Sequence, residues 1–333
     1  MSDAQAAAAA LLEGWAGLSG HAAGDRLFRS VRLSGEAPLS FHLALRNGDG
    51  APCLLATPDE AVTDVVQTFE TGGLRLSRTA NAGRAMLVLS LEAPERRDLF
   101  ALVCADIVGA AVGTSTEADA LAAAAGRLAA WRAFLRDRSA GLDRAGIVGL
   151  IGELLILGHL LDRGRPGLSA WRAPDDGLHD FALDGWALEV KTSLGTASRI
   201  RISNLDQMDG TGLARLFLAH VRLAEDGAGD DLPAVVTQVE ARMTGERTRR
   251  DFRNALLRRG LGPDELDRSF GRPRVRVVKI DFRQVIEGFP CLTRFGVPAG
   301  VVEAGYDLDP RTLVPFAVDA DAVIDSMTGN VDG

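Results

Sequence analysis

The sequence predicts an α/β (α+β) protein of two domains. Short apolar runs bounded by turn residues, which are typical of strands, are mixed with longer segments of helical periodicity. With 333 residues, the chain also exceeds the usual size of a single domain. A glycine- and charge-rich step, "SAGLDRAG" at residues 139–146, favours a boundary there. We therefore expect an N-terminal α+β domain over residues 1–140 and a second domain over residues 141–333.

The N-terminal domain is predicted to contain three helices and four strands. Its opening segment, "MSDAQAAAAALLEGWAGL", has no Lys or Arg before Arg26 and so lacks the cationic region of a signal peptide. We expect an amphipathic helix there, and two more helices at 95–112 and 116–138. The predicted strands are "LSFHLAL", "PCLLAT", "GLRLSR" and "AMLVLSLE", with "NGDG" (47–50) as the turn between the first two.

The second domain is predicted to begin with the helix "RAGIVGLIGELLILGHLLDRG", which ends at Gly164. A hairpin follows, and then the strand "SRIRIS" (198–203). Ser203 or Asn204 is expected to cap a short helix through Gln207. The remaining predicted elements are a strand at 213–225, helices at 231–243 and 247–260, and strands at 274–282 and 299–308.

The composition is that of a soluble globular protein, with 47% hydrophobic and 25% charged residues. Cys53, Cys104 and Cys291 are far apart and odd in number, so they predict neither a disulfide framework nor a zinc site and fit a reducing compartment. The apolar run "ALVCADIVGAAVG" is too short to span a bilayer. We expect a cytoplasmic protein with no membrane partner.

The net charge of −8 argues against a polyanionic partner, but the charge is unevenly distributed. Residues 242–283 hold thirteen Lys or Arg against six Asp or Glu. This basic stretch is compatible with a surface that binds the phosphates of a nucleic acid. The other interpretation is a pair of solvated helix faces, as in "RTRRDFRNALLRRG".

The chain has only two lysines, and Lys191 lies in the segment "LHDFALDGWALEVKTS". Asp184-Gly185 predicts a two-residue type I′ turn, because both positions need a positive φ. Pairing outward from that turn places Asp180 directly opposite Glu189, with Cβ atoms about 5 Å apart on one face. Strand periodicity places Lys191 on the same face.

This hairpin therefore brings two carboxylates and one amine together. Carboxylates at that separation cannot both stay ionised without a counter-charge, which Lys191 or a divalent cation would supply. Mg²⁺ takes one or two carboxylates together with waters and phosphate oxygens, and it polarises phosphodiesters. Alanines at 182 and 187 are expected to leave room for a ligand on this face. The opposite face is predicted to be a core of Phe181, Leu183, Trp186, Leu188 and Val190.

Three features of the candidate site, namely the Glu-x-Lys pair, Glu153 and Gln207, each have a plainer alternative. A Glu-x-Lys pair on an exposed strand is usually a cross-strand ion pair. Glu153 lies in a helix that is apolar all round, so it is expected either to reach the same metal ion, or else to meet an arginine or lie at the edge of the helix. Gly149 and Gly152 are expected to let that helix approach the sheet closely. Gln207 either orients a water or substrate phosphate, or faces solvent next to a helix cap.

The blocks "GLIGELLIL", "HDF", "EVKTS" and "ISNLDQM", in this order and spacing, resemble the PD-(D/E)XK phosphodiesterase superfamily and, within it, the prokaryotic PD-(D/E)XK motif proteins. The resemblance implies a restriction-endonuclease-like core, in which helices flank a central mixed sheet. It implies that Asp180 and Glu189 bind the metal, that Lys191 assists the water, and that Glu153 is an accessory ligand. His179 stands where the name-giving proline would be.

We therefore expect a Mg²⁺-dependent endonuclease, with Mn²⁺ able to substitute, that acts on DNA rather than RNA in restriction or anti-phage defence. The alternative is a catalytically silent subunit that binds nucleic acid or a partner protein. The chain contains no GxSxG, Walker A or GxGxxG sequence, so serine-hydrolase and nucleotide-fold functions find little support. Cutting both strands requires two active sites, which favours a homodimer or a partner protein of a defence system.

Overall fold

The structure is a computed structural model that describes residues 3–19, 27–33, 35, 37–58, 67–81, 84–137, 142–195, 199–262 and 273–327. The chain divides into two compact units, Met1–Ala140 and Gly141–Gly333. Each unit combines helices with β-sheet, so the predicted mixed α/β class is confirmed. Parts of three predicted features lie outside the described residues, namely the step at 139–146, the strand at 198–203 and the basic stretch at 242–283.

Unit 1 contains a six-stranded antiparallel sheet with the strand order β1-β2-β3-β6-β5-β4. The four predicted strands and three predicted helices are confirmed, whereas the edge strands β1 and β4 were missed because both are short and partly exposed. The strands are β1 Phe28–Arg32, β2 Phe41–Arg46, β3 Pro52–Ala56, β4 Phe69–Thr71, β5 Leu74–Asn81 and β6 Arg84–Leu91, and the helices are α1 Asp3–Ser19, α2 Arg97–Ala111 and α3 Glu117–Asp137.

A buried tryptophan anchors α1 in unit 1. Trp15 is fully buried, its ring stacks on Phe100 of α2 at 5.3 Å, and its indole N–H donates to the Cys53 carbonyl at 3.1 Å. Such a contact satisfies the polar end of an otherwise apolar side chain. The three cysteines are free thiols, as the sequence predicted.

Unit 2 contains a five-stranded mixed sheet with the order β13-β11-β10-β8-β7, in which β8 and β10 are parallel. A separate two-stranded sheet joins β9 and β12. The helices of unit 2 are α4 Arg144–Asp162, α5 Gly167–Ala170, α6 Leu232–Ala241, α7 Glu246–Arg258 and α8 Ala320–Ser326. Unit 2 also has 3₁₀ turns at Ala173–Asp175 and Pro310–Phe316, and unit 1 has one at Pro94–Arg96. The strands are β7 Phe181–Leu183, β8 Trp186–Leu194, β9 Ile200–Ile202, β10 Arg215–Asp230, β11 Val275–Gln284, β12 Tyr306–Leu308 and β13 Ala317–Val318.

Two predicted elements of unit 2 differ in the structure. The predicted helix through Gln207 is wrong, because the Asn204 side chain accepts from the N–H groups of Asp206 and Gln207 and closes a turn instead. The predicted strand at 299–308 forms only at its last three residues. Gly300 takes a φ of +97°, which interrupts an extended chain. The short helices α5 and α8 were not predicted.

Helix α4 is the central helix of unit 2 and packs against β8 and α6. Asp143 caps it by accepting from the Gly146 N–H at 2.7 Å. Within the described residues, α4 is the one helix that is long and apolar enough to cross a bilayer. Its apolar residues lie in the core of unit 2, however, and a buried core helix meets the same criterion of length and composition. Gly152 lies so close to β8 that a Cβ there would overlap Thr192 Oγ1, whereas Gly149 has open space. The predicted close approach is therefore correct for Gly152 and wrong for Gly149.

The β7–β8 hairpin has the predicted register. Leu183 pairs with Trp186 and Phe181 with Leu188, and the turn residues Asp184 and Gly185 have φ values of 48° and 84°. The five predicted core residues of the hairpin pack in or against the main apolar cluster of unit 2.

The opposite face of the hairpin is less open than expected. Ala187 is fully buried and Glu189 is 2% exposed. Leu218, which pairs with Glu189 on β10, belongs to a second apolar cluster that includes Ile200 of β9 and Leu308 of β12. Strand β8 is therefore covered on both faces where it carries Glu189, and the room predicted beside Ala187 is filled.

The two glycines of α4 provide a matched test of this packing. Gly152→Ala is expected to destabilise the protein by about 1–3 kcal/mol, because the new methyl group overlaps a β-branched side chain on a central strand. Gly149→Ala is expected to be neutral or to stabilise by up to about 1 kcal/mol, since alanine is the better helix former and has space. Urea denaturation of both variants measures the difference. Equal midpoints would contradict the close approach of α4 to β8.

Candidate active site

Asp180 lies immediately before β7 and reaches across the hairpin. Its Oδ2 accepts a hydrogen bond from the Val190 backbone N–H at 2.7 Å. Its backbone carbonyl accepts from the N–H groups of Arg172 and Ala173, which ties the start of the strand to the preceding loop. The carboxylate is therefore held next to the β8 residues that carry Glu189 and Lys191.

Glu189 and Lys191 form a close ion pair, with 2.7 Å between Glu189 Oε1 and Lys191 Nζ. Glu189 is almost fully buried, and the Lys191 side chain is 16% exposed. The other carboxylate oxygen, Glu189 Oε2, is buried and has no hydrogen-bond partner among the described residues. A buried acceptor of this kind is costly unless a ligand satisfies it.

Gln207 joins the site although it lies in a turn rather than in the predicted helix. Its Oε1 accepts from Lys191 Nζ at 3.1 Å and from the Ser203 backbone N–H at 2.9 Å. Its backbone carbonyl lies 3.1 Å from His179 Nε2, so both ends of the residue are held. Lys191 is thus positioned between one carboxylate and one amide oxygen.

Glu153 is buried and forms an ion pair with an arginine, which is one of the alternatives that the sequence allowed. Arg259 Nη2 donates to Glu153 Oε1 at 2.5 Å, and Arg259 Nε donates to Oε2 at 3.1 Å. The indole N–H of Trp171 also donates to Oε2 at 3.0 Å. Neither partner is predicted by the sequence, since no local pattern links Glu153 to Arg259, 106 positions away, or to Trp171, 18 positions away. The only available hint was the basic end of "NALLRRG".

The pKa values of both hairpin carboxylates, Asp180 and Glu189, are raised. Burial raises the pKa of Asp180 well above its usual range, and the nearby charges of Glu189 and Glu153 raise it further. Burial also raises the pKa of Glu189, although Lys191 opposes this shift. Each group resists ionisation because a buried negative charge is poorly solvated and like charges repel. A further cation would relieve both effects.

The donor set is small. No group of three or more His, Cys, Asp or Glu side chains in the described parts of the chain is arranged to hold a metal ion. Asp180 and Glu189 remain as a pair of hard oxygen donors, while Glu153 is engaged by Arg259. Such a pair suits Mg²⁺, which completes its coordination with waters and substrate phosphate oxygens, better than it suits an ion that needs a closed protein cage.

The basic stretch at 242–283 is mostly engaged in ion pairs where it is described. Arg249, Arg253 and Arg258 of α7 lie within 2.8 Å of the carboxylates of Glu246, Glu240 and Asp175, respectively. This arrangement fits the interpretation of solvated helix faces over α7. The cations of β11 have different surroundings, which are described below.

Asp180→Asn tests whether the site stores unfavourable charge. In metal-free protein at neutral pH, the variant is expected to be more stable than the wild type by about 1–3 kcal/mol, because it removes a buried carboxylate with too little counter-charge. Asp184→Asn, in the exposed turn of the same hairpin, is the matched control, and asparagine tolerates its positive φ. Denaturant unfolding in EDTA measures both. A destabilised Asp180→Asn variant would contradict the electrostatic account.

The same comparison carries a pH dependence of known sign. Because the folded-state pKa of Asp180 is raised, the wild type gains stability from its protonated form below the unfolded pKa of about 4 and loses that stability as the pH rises toward the folded pKa. The advantage of Asp180→Asn is therefore expected to shrink as the pH falls to about 4. Unfolding curves at a series of pH values test this, and a constant difference would contradict it.

The comparisons with known proteins agree with this geometry. A family model described as "Putative PD-(D/E)XK family member, (DUF4420)" matches residues 11–310, which include α4, the hairpin and the turn with Gln207. A search of curated proteins and a search of solved structures each found no match. Since the match covers most of both units, the resemblance predicted from the sequence is confirmed. The chain belongs to this PD-(D/E)XK family, and it has a nuclease-like α/β fold.

Proposed function

We propose that this protein is a Mg²⁺-dependent endonuclease that hydrolyses phosphodiester bonds, with DNA preferred over RNA, at a site formed by Asp180, Glu189 and Lys191. The observation that carries the proposal is the position of Lys191 Nζ, 2.7 Å from Glu189 Oε1 and 3.1 Å from Gln207 Oε1. The ammonium group contacts the buried Glu189 and lies near the partly buried Asp180, and together these two carboxylates need a further cation. Family membership supports the same chemistry.

The residues present fit a divalent cation. Asp180 and Glu189 supply carboxylate oxygens, one of which, Glu189 Oε2, is buried and unpartnered among the described residues. When bound there, Mg²⁺ would supply positive charge that polarises the scissile phosphodiester. Mn²⁺ has the same preference for carboxylate and water ligands and is expected to substitute.

Lys191 is proposed to act on the attacking water or on the charge that develops at phosphorus. An ammonium group has three N–H donors, and Glu189 and Gln207 accept two of them. No described residue accepts the third, which is proposed to bind a water or a non-bridging phosphate oxygen. Donors that are already oriented toward developing charge lower the barrier without reorganising during the reaction. Gln207 is the positioning residue that fixes the direction of the Lys191 side chain.

Glu153 enters the proposal as an accessory carboxylate. Both of its oxygens accept hydrogen bonds from Arg259 or Trp171, so it can bind a metal only if part of that contact opens. In the arrangement observed, its charge acts on Asp180 at a distance and raises the pKa of that carboxyl. Replacement of Glu153 is therefore expected to affect cleavage less than replacement of Asp180 or Glu189.

The proposed setting is restriction or anti-phage defence in the cytoplasm. Superfamily resemblance supports this setting, and the free cysteines fit a reducing compartment. Unit 1 would read the target, form a homodimer or bind a partner protein of the system. A second active site, from either source, would be needed to cut both strands.

A second candidate is a catalytically silent subunit that binds nucleic acid or a partner protein through the same fold. The ion pair between Glu153 and Arg259 favours it, because it removes one of three acidic donors from the site. The net charge of −8 points in the same direction. The two candidates differ in whether the purified protein cleaves.

The deciding experiment compares the wild type with Lys191→Ala on plasmid DNA, single-stranded DNA and RNA in Mg²⁺, Mn²⁺ or EDTA. We expect metal-dependent cleavage of DNA by the wild type and a loss of about 10²-fold or more in the variant, since an oriented charge-stabilising donor is removed. Arg144→Ala, which removes an exposed cation that is paired with Glu225 and lies outside the basic stretch, should retain activity.

Thermal unfolding of each variant separates a lost catalytic group from a lost fold. If folded wild-type protein binds DNA in a mobility-shift assay but cleaves none of the substrates with either metal, the silent subunit replaces the nuclease as the proposed function. Cleavage that survives in Lys191→Ala would place the chemistry elsewhere in the chain.

A further inference from the structure

A second concave site lies beside the hairpin, on the same face of the unit 2 sheet. It is a pocket of about 470 Å³. One wall carries charged side chains of β10 and β11, and the other is mainly apolar. The charged wall contains His220, Arg222, Lys279, Asp281 and Arg283.

Strand register places this pocket next to the candidate active site. On β10, His220 pairs with Lys191 of β8, and Arg222 pairs with Ser193. Paired residues of neighbouring strands point to the same face, so the pocket continues the face that carries Glu189 and Lys191. Ser193 Oγ lies 2.9 Å from His220 Nε2, which links the two strands at the boundary.

Arg283 is the most unusual group in the pocket wall. Its side chain is 7% exposed, and two of its guanidinium nitrogens, Nε and Nη1, are buried without a hydrogen-bond partner among the described residues. The remaining nitrogen, Nη2, lies 4.0 Å from Asp281 Oδ2. Burial lowers the pKa of this guanidinium, as expected for a cation with too little counter-charge. A buried arginine in a native protein is normally paired.

The other charges do not supply the missing anion. Asp281 is shared by three cations, with Lys279 Nζ at 2.5 Å, Arg222 Nη2 at 3.6 Å and Arg283 Nη2 at 4.0 Å. One carboxylate therefore serves three positive groups. Arg222 Nε and His220 Nδ1 are also buried without a partner in the described part of the chain. The charged wall has a net positive charge and unused donors, which are the properties of an anion site.

We propose that this pocket binds the phosphate of a nucleotide, with Arg283 and Arg222 as its principal ligands. The planar guanidinium forks match the geometry of phosphate oxygens, and Lys279 adds a point charge. The volume is within the range of pockets that hold a small ligand. Pro310 and Val314 of the 3₁₀ turn line the same pocket and provide an apolar surface for the sugar or base.

Two sources of that phosphate share the same chemistry. One is a nucleotide of the strand that the neighbouring site would cleave, and for this source the inference rests on the proposed function. Arg283 aligns with Leu218 and, through it, with Glu189, so it lies two strand spacings or about 10 Å from that carboxylate. That distance corresponds to the rise of about three nucleotides along a duplex. The other source is a free nucleotide.

The experiment measures binding in EDTA, so that no cleavage is involved. The probes are inorganic phosphate, deoxyadenosine monophosphate and a 5′-labelled single-stranded oligonucleotide of about ten nucleotides, and the readouts are calorimetry and fluorescence anisotropy. Wild type is compared with Arg222→Gln, Arg283→Gln and the control Arg144→Gln, an exposed cation outside the pocket and the basic stretch. Arg222 is partly exposed, so its variant keeps the test valid if Arg283→Gln does not fold.

We expect a nucleotide probe to bind the wild type and to bind Arg222→Gln about tenfold more weakly, since charge-assisted contacts to phosphate are lost. The control should match the wild type. Tight binding of the oligonucleotide and weak binding of the mononucleotide would identify the strand as the source, and the reverse would identify a free nucleotide. If the strand is the source, the slope of log Kd for the oligonucleotide against log salt concentration should be smaller by about one in Arg222→Gln than in the wild type.

The proposal is overturned if neither nucleotide probe binds the wild type, or if Arg222→Gln and Arg283→Gln bind as the wild type does. Either result leaves the nuclease proposal standing, because Lys191-dependent cleavage is measured separately. Conversely, if the protein cleaves no substrate but binds nucleotide in a way that depends on Arg222, the nucleotide-binding proposal holds and the nuclease proposal is rejected.

Discussion

The structure of unit 2 depends on one constraint, the burial of β8 on both faces where it carries charged residues. Helix α4 and the main apolar cluster cover one face, and the cluster around Leu218 covers the other. A carboxylate on such a strand is stable only with a partner, because charge is costly in a medium that water does not reach. Lys191 is that partner for Glu189, and Gln207 holds the lysine in turn.

This constraint leaves the site incompletely neutralised. Asp180, Glu189 and Glu153 supply three carboxyl groups, and Lys191 and Arg259 are the cations that contact two of them directly. Asp180 has a backbone N–H as its hydrogen-bond partner. Sites that bind a cation commonly keep such an imbalance and lose stability in its absence. A divalent cation at the hairpin would correct the imbalance, which a fully paired network would not need.

The same face of the sheet shows the opposite imbalance two strands away. There Arg222, Lys279 and Arg283 share Asp281, and guanidinium nitrogens are left without partners among the described residues. The unneutralised carboxylate of the hairpin and the positively charged wall formed by Arg222, Lys279 and Arg283 therefore lie in the same sheet. A metal ion and a phosphate are the two ligands that would correct these deficits, and a nucleic-acid strand with its bound cation carries both.

The sequence by itself determined the hairpin, because Asp184-Gly185 accepts the two positive φ values of its turn and period-two alternation then sets the register. It also indicated that Glu153 is buried, since its helix is apolar all round. Tertiary structure alone decided the partners. Gln207 reaches Lys191 from a turn that Asn204 closes, Arg259 reaches Glu153 across 106 residues, and the β8–β10–β11 strand order assembles the pocket. Those contacts depend on long-range packing, which no local pattern of residues encodes.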